Sequence, residues 1–524
     1  MNLPELFTTA PAVYAVDREY QIFVPVGREC VMWVTVGGKN FYDDSNGILR
    51  SSSMTHQMHV PMALLDEAKE YTICWRIVNE RKPYFSDLSD VFSFTLPFRP
   101  VTGPDVRIYQ VADAHNRIEA PVKAGSFFGD QLDLLLLNGD VPEDSGNVEN
   151  FRTIHEIAGK ITGGSVPVVF SRGNHDTRGI YAEKLPEYTA CNKGVSYYTF
   201  RLGPLWGIVL DCGEDKADSS NEYGWTICCE DFRRRETKFL KQVAADPEHE
   251  YAAPGVKYRI VTSHVPFPQN MPEPFDIEEE LYTEWCNILK ETVKPDVIIS
   301  GHMHQLYVIH EGDERDNKGT PCPVIVASKP TKDRSEFTGG AITLSGDQIL
   351  VQYTNQEKQV VGEEILPRKS KSMDCKIVFS TDFQDICQIH DALYTFNLSR
   401  SGHNRIEGLK PSVPEDTCAL VLRDGDGTCC GGIVWHRMET ETPQIFVDFA
   451  YIGDCLRGTG WGKRLFDELE QRVKAEGITA VEVTTNTFQA PAFYRKLGYV
   501  EIDREAAPTP LVPENLHYRF RKTL

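Results

Sequence analysis

Five apolar runs in this sequence each lead into a small polar island, and that recurrence limits the fold more than any other feature. RIYQVADAH closes on Asp113 and His115, and LDLLLLNGD closes on Asp140. VPVVFSRGNHD carries Asn174, His175 and Asp176. YRIVTSH closes on His264, and DVIISGHMH on His302 and His304. Short runs rich in Val and Ile read as buried strands. In open α/β sheets, ligands bind beyond the carboxyl ends of the strands. Five such strands bring their polar ends to one place.

The residue types say what that place holds. Carboxylate, imidazole and amide oxygen suit divalent cations such as zinc, manganese or iron. Two cations about 3.5–4 Å apart need a ligand that touches both, and a carboxylate does so. No thiolate stands in the islands, which argues against a structural zinc cage. One such His alone is more often a satisfied core or loop residue, but five islands in this order are not accounted for that way.

The order D-x-H, G-D, G-N-H-D, H, G-H-x-H resembles the calcineurin-like metallophosphoesterase superfamily over residues 101–366. The resemblance implies an α/β/β/α sandwich in which Asp113, His115 and His304 hold one metal ion. Asn174, His264 and His302 hold the other, and Asp140 bridges them. His175 would face the phosphate and assist the leaving oxygen, with Asp176 placed to orient its imidazole. Purple acid phosphatases are similar but put a metal-binding Tyr three residues after the bridging Asp. Glu143 stands there in this sequence, so no tyrosinate-to-iron colour is expected.

At 524 residues the chain is long enough for about three or four domains. A formal charge of −21 repels phosphate backbones, so nucleic acid is not expected as a bulk partner. No apolar run nears the roughly 20 residues that span a bilayer, and the first residues lack a basic and then apolar leader. The 14 Cys show no C-x-x-C pair, which reads as reduced thiols in a cytoplasmic protein.

Residues 1–18 read as an irregular lead. YQIFVPV, ECVMWVTV, YTICWRIV and VFSFTLPF then alternate as strands with turn signals between them. They predict an immunoglobulin- or fibronectin type III-like β-sandwich over residues 1–100, with Trp33, Tyr71 and Trp75 in its core. NVENFRTIHEIAGKI and EDFRRRETKFLKQVAAD read as helices, the Arg233–Arg235 run of the second as a solvated face. PFPQNMPEPFD, directly after His264, reads as a loop placed to shape substrate access. Strand patterns over 322–366 are expected to complete a second sheet. GEEILPRKSKSMD reads as a linker near Lys369–Lys371.

A second chemistry follows the linker. A strand over 445–452 runs into Arg457, Gly458, Gly460, Gly462 and Lys463, then into an amphipathic helix. Glycines let backbone N–H groups approach a pyrophosphate at a helix N-terminus. After AVEVTTN comes N-T-F-Q-A-P-A-F-Y-R-K-L-G-Y. Together these resemble the GNAT acetyltransferase superfamily, an α/β fold, over residues 375–524. The resemblance implies acetyl-CoA on the R-x-x-G-x-G turn, Asn486 beside the cofactor, and Tyr494 as the proton donor to the departing thiolate. It leaves the general base unassigned, with Asp448 a candidate.

The chain therefore reads as a cytoplasmic, multidomain, bifunctional enzyme. A binuclear-metal hydrolase of a small phosphoester is joined to an acetyl-CoA-dependent N-acetyltransferase of an amine. Two other readings stay open: a GNAT domain that only senses acetyl-CoA, and a nuclease-type phosphodiesterase.

Overall fold

In the computed structural model all five apolar runs are strands: Val106–Val111, Leu134–Asn138, Pro167–Ser171, Tyr258–Thr262 and Val297–Ser300. The structure describes residues 2–44, 47–331, 335–346, 348–368, 375–403, 417–424, 427–453, 456 and 460–524. They form two units, Met1–Pro367 and Arg368–Leu524.

In the first unit, Val106–Val111, Leu134–Asn138 and Pro167–Ser171 run parallel in one sheet. Tyr258–Thr262 and Val297–Ser300 run parallel in a second sheet. Leu134–Asn138 is buried at every position, which explains why its sequence is continuously apolar and not alternating. The sheets face each other: Ile260, Ile299 and Ile325 of the second share a core with Leu136 and Val169 of the first. The next residues along, Val261, Ile298 and Val324, point the other way. They meet Leu240, Val243 and Trp285 from the helices Cys229–Ala245 and Glu279–Ile288. Ile154 and Ile157 of helix Arg152–Thr162 join the core of the first sheet. The layering is α/β/β/α.

Two expectations need correction. Of the strands after residue 322, Val324–Ala327 enters the second sheet. Phe337–Ser345 instead pairs antiparallel with Val106–Val111 in the first, and Gln348–Asn355 and Val360–Pro367 extend that sheet outward. The supposed lead contains the strand Ala12–Val16, buried throughout and parallel to Pro167–Ser171. Its five residues carry no alternation because both faces are covered.

Residues 1–100 carry strands of two sheets, and one of these is continuous with the first sheet. Glu19–Pro25 and Thr55–Pro61 continue the first sheet beyond Ala12–Val16. Cys30–Val36, Lys39–Tyr42, Glu70–Arg81, Ser86–Leu88 and Phe92–Pro97 form a separate five-stranded sheet. Tyr71 and Trp75 are buried as expected, and Trp33 is half-buried. A polar tie joins the two sheets: the Cys30 thiol lies 3.2 Å from His56 Nε2, and His56 Nδ1 lies 2.6 Å from Asp43. Burial, with Asp43 and then Glu29 adding to it, pushes the Cys30 thiol up to about 12, so it stays protonated. One core runs from Val13 and Ile73 through Leu136.

The second unit is a seven-stranded sheet. Gln444–Ile452 and Ala480–Asn486 are its parallel pair, but their pairing stops at Val447 and Val483. Beyond that point the strands separate. On the other edge of Gln444–Ile452 the register slips between Val434 and Trp435, so Asp448 is an extra, unpaired residue. Helix Trp461–Ala475 follows, with Gly460 at its N-cap in a left-handed conformation, φ 90°. The linker expected near Lys369–Lys371 lies outside the described residues. Among the described residues no helix is long and apolar enough to cross a membrane.

Because Ala12–Val16 pairs with Pro167–Ser171, deleting residues 1–100 should bare an apolar strand edge and abolish cooperative unfolding. Circular dichroism melting checks this. A truncated chain that stays soluble and melts like the intact first unit would mean residues 1–100 form a separate domain.

Candidate functional site

The polar islands converge as the strand pattern implies. Each begins within three residues of its strand's carboxyl end, where the chain leaves the sheet. Asp113, His115, Asp140, His302 and His304 all have left-handed backbone, with φ of 53°, 46°, 51°, 66° and 50°. Such non-glycine residues cost on the order of 1–3 kcal/mol each and cluster at functional sites. Local hydrogen bonds hold them there. Asp113 N donates to Gly139 O (3.1 Å), His115 N to Asp140 O (3.0 Å) and His302 N to Asp113 Oδ2 (3.1 Å). Two glycines are required by crowding: a Cβ on Gly139 would stand 2.5 Å from the His264 ring, and one on Gly173 2.2 Å from Asp140 Oδ1.

The candidate ligands gather in neighbouring sets. Asp113, His115 and His304 form one; Asp140, His264 and His302 form another; His115, Asp140 and His175 form a third. In each, the donor atoms lie within 4.8 Å of one another. His115 Nε2 is 3.2 Å from His304 Nε2, and His264 Nε2 is 3.1 Å from Asp140 Oδ2. Asn174 Oδ1 is 3.0 Å from His302 Nδ1. All seven residues named from the sequence are therefore together, and Asp140 stands in two of the sets.

The residues fit a metal pair. His115 Nδ1 is buried without a hydrogen-bond partner among the described residues, and buried Asp113 Oδ1 and His264 Nε2 meet only imidazole and carboxylate groups of the same cluster, a costly arrangement unless a cation faces some of these atoms. Burial alone would raise Asp113 and Asp140. The hydrogen bond from His304 for Asp113, and the charge of His264 for Asp140, reverse this and hold both low. Burial pushes His115 and His302 down to about 4, so both are neutral donors. Burial also opposes charge on His264, but Asp140 and then Asp113 push it up to about 10. A cation there displaces that proton.

His175 sits at the edge of this cluster. Its ring meets His115 edge to face at 4.8 Å, and its Nε2 is 4.0 Å from Asp140 Oδ2. Its Nδ1 donates to the Glu143 carbonyl at 2.8 Å. That carbonyl, and not Asp176, orients the imidazole. The Asp176 carboxylate turns away and accepts from Gly173 N at 2.7 Å. Burial, with the Asp140 charge next, pushes Asp176 up to about 8.

Sequence reasoning missed Arg178, Glu214 and Arg233. Arg178 Nη1 lies 3.3 Å from His175 Nε2, and Glu214 holds the rest of that guanidinium. Arg233, read as part of a solvated run, is fully buried and donates Nε to Cys212 O at 2.7 Å. A basic residue three after His175 was the available signal for Arg178. Nothing in the Arg run distinguished Arg233 from its exposed neighbours. The loop after His264 lines a cavity of about 170 Å³ beside His302, with Phe267, Asn270 and Phe275 in its wall.

In the second unit the separated strands open a cleft of about 470 Å³, walled by Val447, Asp448, Thr484, Gly460, Gly462 and Tyr494 among others. Lys463 lies at its edge. The first-turn N–H groups, which have no partner within the helix, and the absence of any side chain at Gly460 fit a pyrophosphate. Burial pushes the Tyr494 phenol well up, so it holds its proton. Asn486 is tied elsewhere, accepting from Asn515 Nδ2 at 2.9 Å; Gln489, not Asn486, reaches the cleft. Asp448 accepts from His436 Nδ1 at 2.8 Å. Arg457 and Gly458 lie outside the described residues.

Residues 106–306 match the model of the calcineurin-like phosphoesterase family, and residues 383–499 that of the acetyltransferase (GNAT) family. The chain thus joins a calcineurin-like phosphoesterase domain to a GNAT acetyltransferase domain. Among individual proteins, it is 35% identical over 91 residues to blasticidin-S acetyltransferase of Streptomyces morookaense, 17% of this chain and 62% of that one. A purple acid phosphatase from yellow lupin (Lupinus luteus) seeds is 14% identical with a TM-score of 0.44, over 69% of this chain and 75% of that one. An acetyltransferase from Bacillus cereus ATCC 14579 is 22% identical with a TM-score of 0.19, over 28% of this chain and 98% of that one.

Asp176 sets a pH dependence. Its carboxyl is raised, so the stability it contributes is complete below about pH 4, its unfolded value. That stability is lost as pH rises through about 8. In metal-free protein, Asp176→Asn should flatten the fall in Tm between those values. An unchanged Tm-against-pH slope in chelator would place the titration elsewhere.

Proposed function

We propose that the chain is a bifunctional enzyme. Residues 101–366 hydrolyse a small phosphoester with two metal ions (manganese, iron or zinc), and residues 375–524 transfer acetyl from acetyl-CoA to an amine. The observation that carries the first half is the pair of donor sets beside each other with Asp140 between them. Asp113, His115 and His304 would hold one ion and Asn174, His264 and His302 the other, with Asp140 shared between the two sets. Bound there, the ions supply Lewis acidity toward a phosphoryl oxygen and toward water.

The remaining work belongs to the chain. His175, fixed through Nδ1 on Glu143 O, turns Nε2 toward the substrate. It passes a proton from Nε2 to the leaving oxygen while Nδ1 stays bonded. In the second half, acetyl-CoA supplies the activated acyl group. The N–H groups after Gly460 bind its pyrophosphate, and Tyr494 holds the proton for the departing thiolate. Use of acetyl-CoA supports a cytoplasmic setting.

Asp140→Asn should lower metal content and cut the phosphoesterase rate by more than about 100-fold, beyond the effect of losing an outer-shell partner. Elemental analysis with a manganese, iron and zinc assay panel measures both. Two ions per chain at near-normal rates would remove Asp140 from the bridge.

Acetyl-CoA at 100 times its Kd should stabilise the second unit by about 2.7 kcal/mol, seen as a raised Tm. Gly460→Leu should lose that shift and leave phosphoester hydrolysis intact. If hydrolysis in the full chain required acetyl-CoA, the second unit would be a sensor instead.

A further inference from the structure

We propose that Arg178 is an anion-binding, specificity-determining residue of the phosphoesterase site that takes a terminal oxygen of a phosphomonoester dianion; this rests on reading residues 101–366 as a phosphoester hydrolase. The fold goes to some length to fix this one guanidinium. Glu214, with its side chain 1% exposed, accepts from Arg178 Nε at 3.0 Å and Nη2 at 2.8 Å. The backbone that carries Glu214 is itself held by Arg233, fully buried, which donates to the carbonyls of Cys212 and Glu214. A buried charge is thus committed to the loop that positions Glu214.

Arg178 is pinned from its other side as well. Its carbonyl accepts from Ser145 N at 2.7 Å. Gly179 follows at φ 124°, so close to the loop after Asp140 that a Cβ would stand 2.3 Å from Gly146 N. The other carboxylates near the guanidinium, Asp215 at 3.4 Å and Glu222 at 3.8 Å, lie at the Nη2 end. Nη1 faces the opposite way, 3.3 Å from His175 Nε2, in an open cleft that the two residues line with Glu143, Asp144, Gly146 and Gly179. An ion pair serving only stability has no need to present Nη1 to the histidine beside the metal ligands.

The chemistry of the ester decides what gains from this donor. A monoester dianion has three terminal oxygens and two charges; a diester has two terminal oxygens and one charge. A planar N–H donor beside His175 suits the third oxygen. In a diester an uncharged ester arm takes that place and gains little.

Arg178→Ala and Arg178→Lys in the full-length, metal-loaded protein test this. Calorimetry with orthophosphate, elemental analysis, and KM and kcat on p-nitrophenyl phosphate and bis(p-nitrophenyl) phosphate are the readouts. Loss of one charge-assisted bond should raise the orthophosphate Kd and the monoester KM by roughly 10–100-fold for Ala. The diester KM should hold within about 3-fold, and metal content should not change. Lys, which keeps the charge but not the fork, should show the same selectivity with a smaller rise. Equal losses on both esters, an unchanged orthophosphate Kd, or loss of metal would overturn the assignment. Wild-type protein that hydrolyses neither ester yet binds orthophosphate through Arg178 would refute the hydrolase reading and keep the anion site.

Discussion

The Asp140 carboxylate is the interaction on which the centre of the first unit depends. It accepts from His175 N at 2.8 Å, faces His264 Nε2 at 3.1 Å, and lies 4.0 Å from His175 Nε2. One buried anion therefore orders groups from two other islands. Its own backbone is left-handed, and the glycines before it and across from it leave room for nothing larger. Fixed anions in a low-dielectric site act strongly and need no reorganisation when a cation or substrate arrives. The cost is carried by the paired sheets behind the loops, whose cores hold the strand ends still.

How much of this was legible varies with the kind of interaction. The five strands and seven donor residues could be read because each strand is buried on both faces and stops abruptly at polar residues. Pattern says that a stretch is a strand but not which sheet accepts it. For that reason YQIFVPV was correctly read as extended, yet its place in the first sheet was not. AVYAV was missed because five apolar residues carry no period. The orientation of His175 was illegible for a different reason: its partner is a backbone carbonyl, which every residue has. Arg233 and Arg234 are adjacent and identical in type, and only the rotation of the helix buries the first and exposes the second.

The second unit uses a lighter device. Two parallel strands pair over four residues and then part, leaving a cleft with no need for buried charge. The extra residue at Asp448 turns a carboxylate into that cleft on the side held by His436. The glycines after the strand were legible by their spacing. The parting of the strands was not, since it depends on pairing that ends and not on any residue type.

The pairing of Ala12–Val16 with Pro167–Ser171 also sets a timetable for synthesis. At about 5–20 residues per second, the ribosome needs on the order of ten to thirty seconds between making the first strand and making its partner. During that interval Val13 and Tyr14, fully covered in the finished protein, can pair with Glu19–Pro25 on one side only. Phe337–Ser345, which closes the other flank of Val106–Val111, emerges later still. The nascent chain thus carries an open strand edge, first beside Ala12–Val16 and then beside Val106–Val111, through most of the translation of the first unit. A holdase at the tunnel exit has its clearest target beside Val106–Val111, the edge that waits longer for its partner.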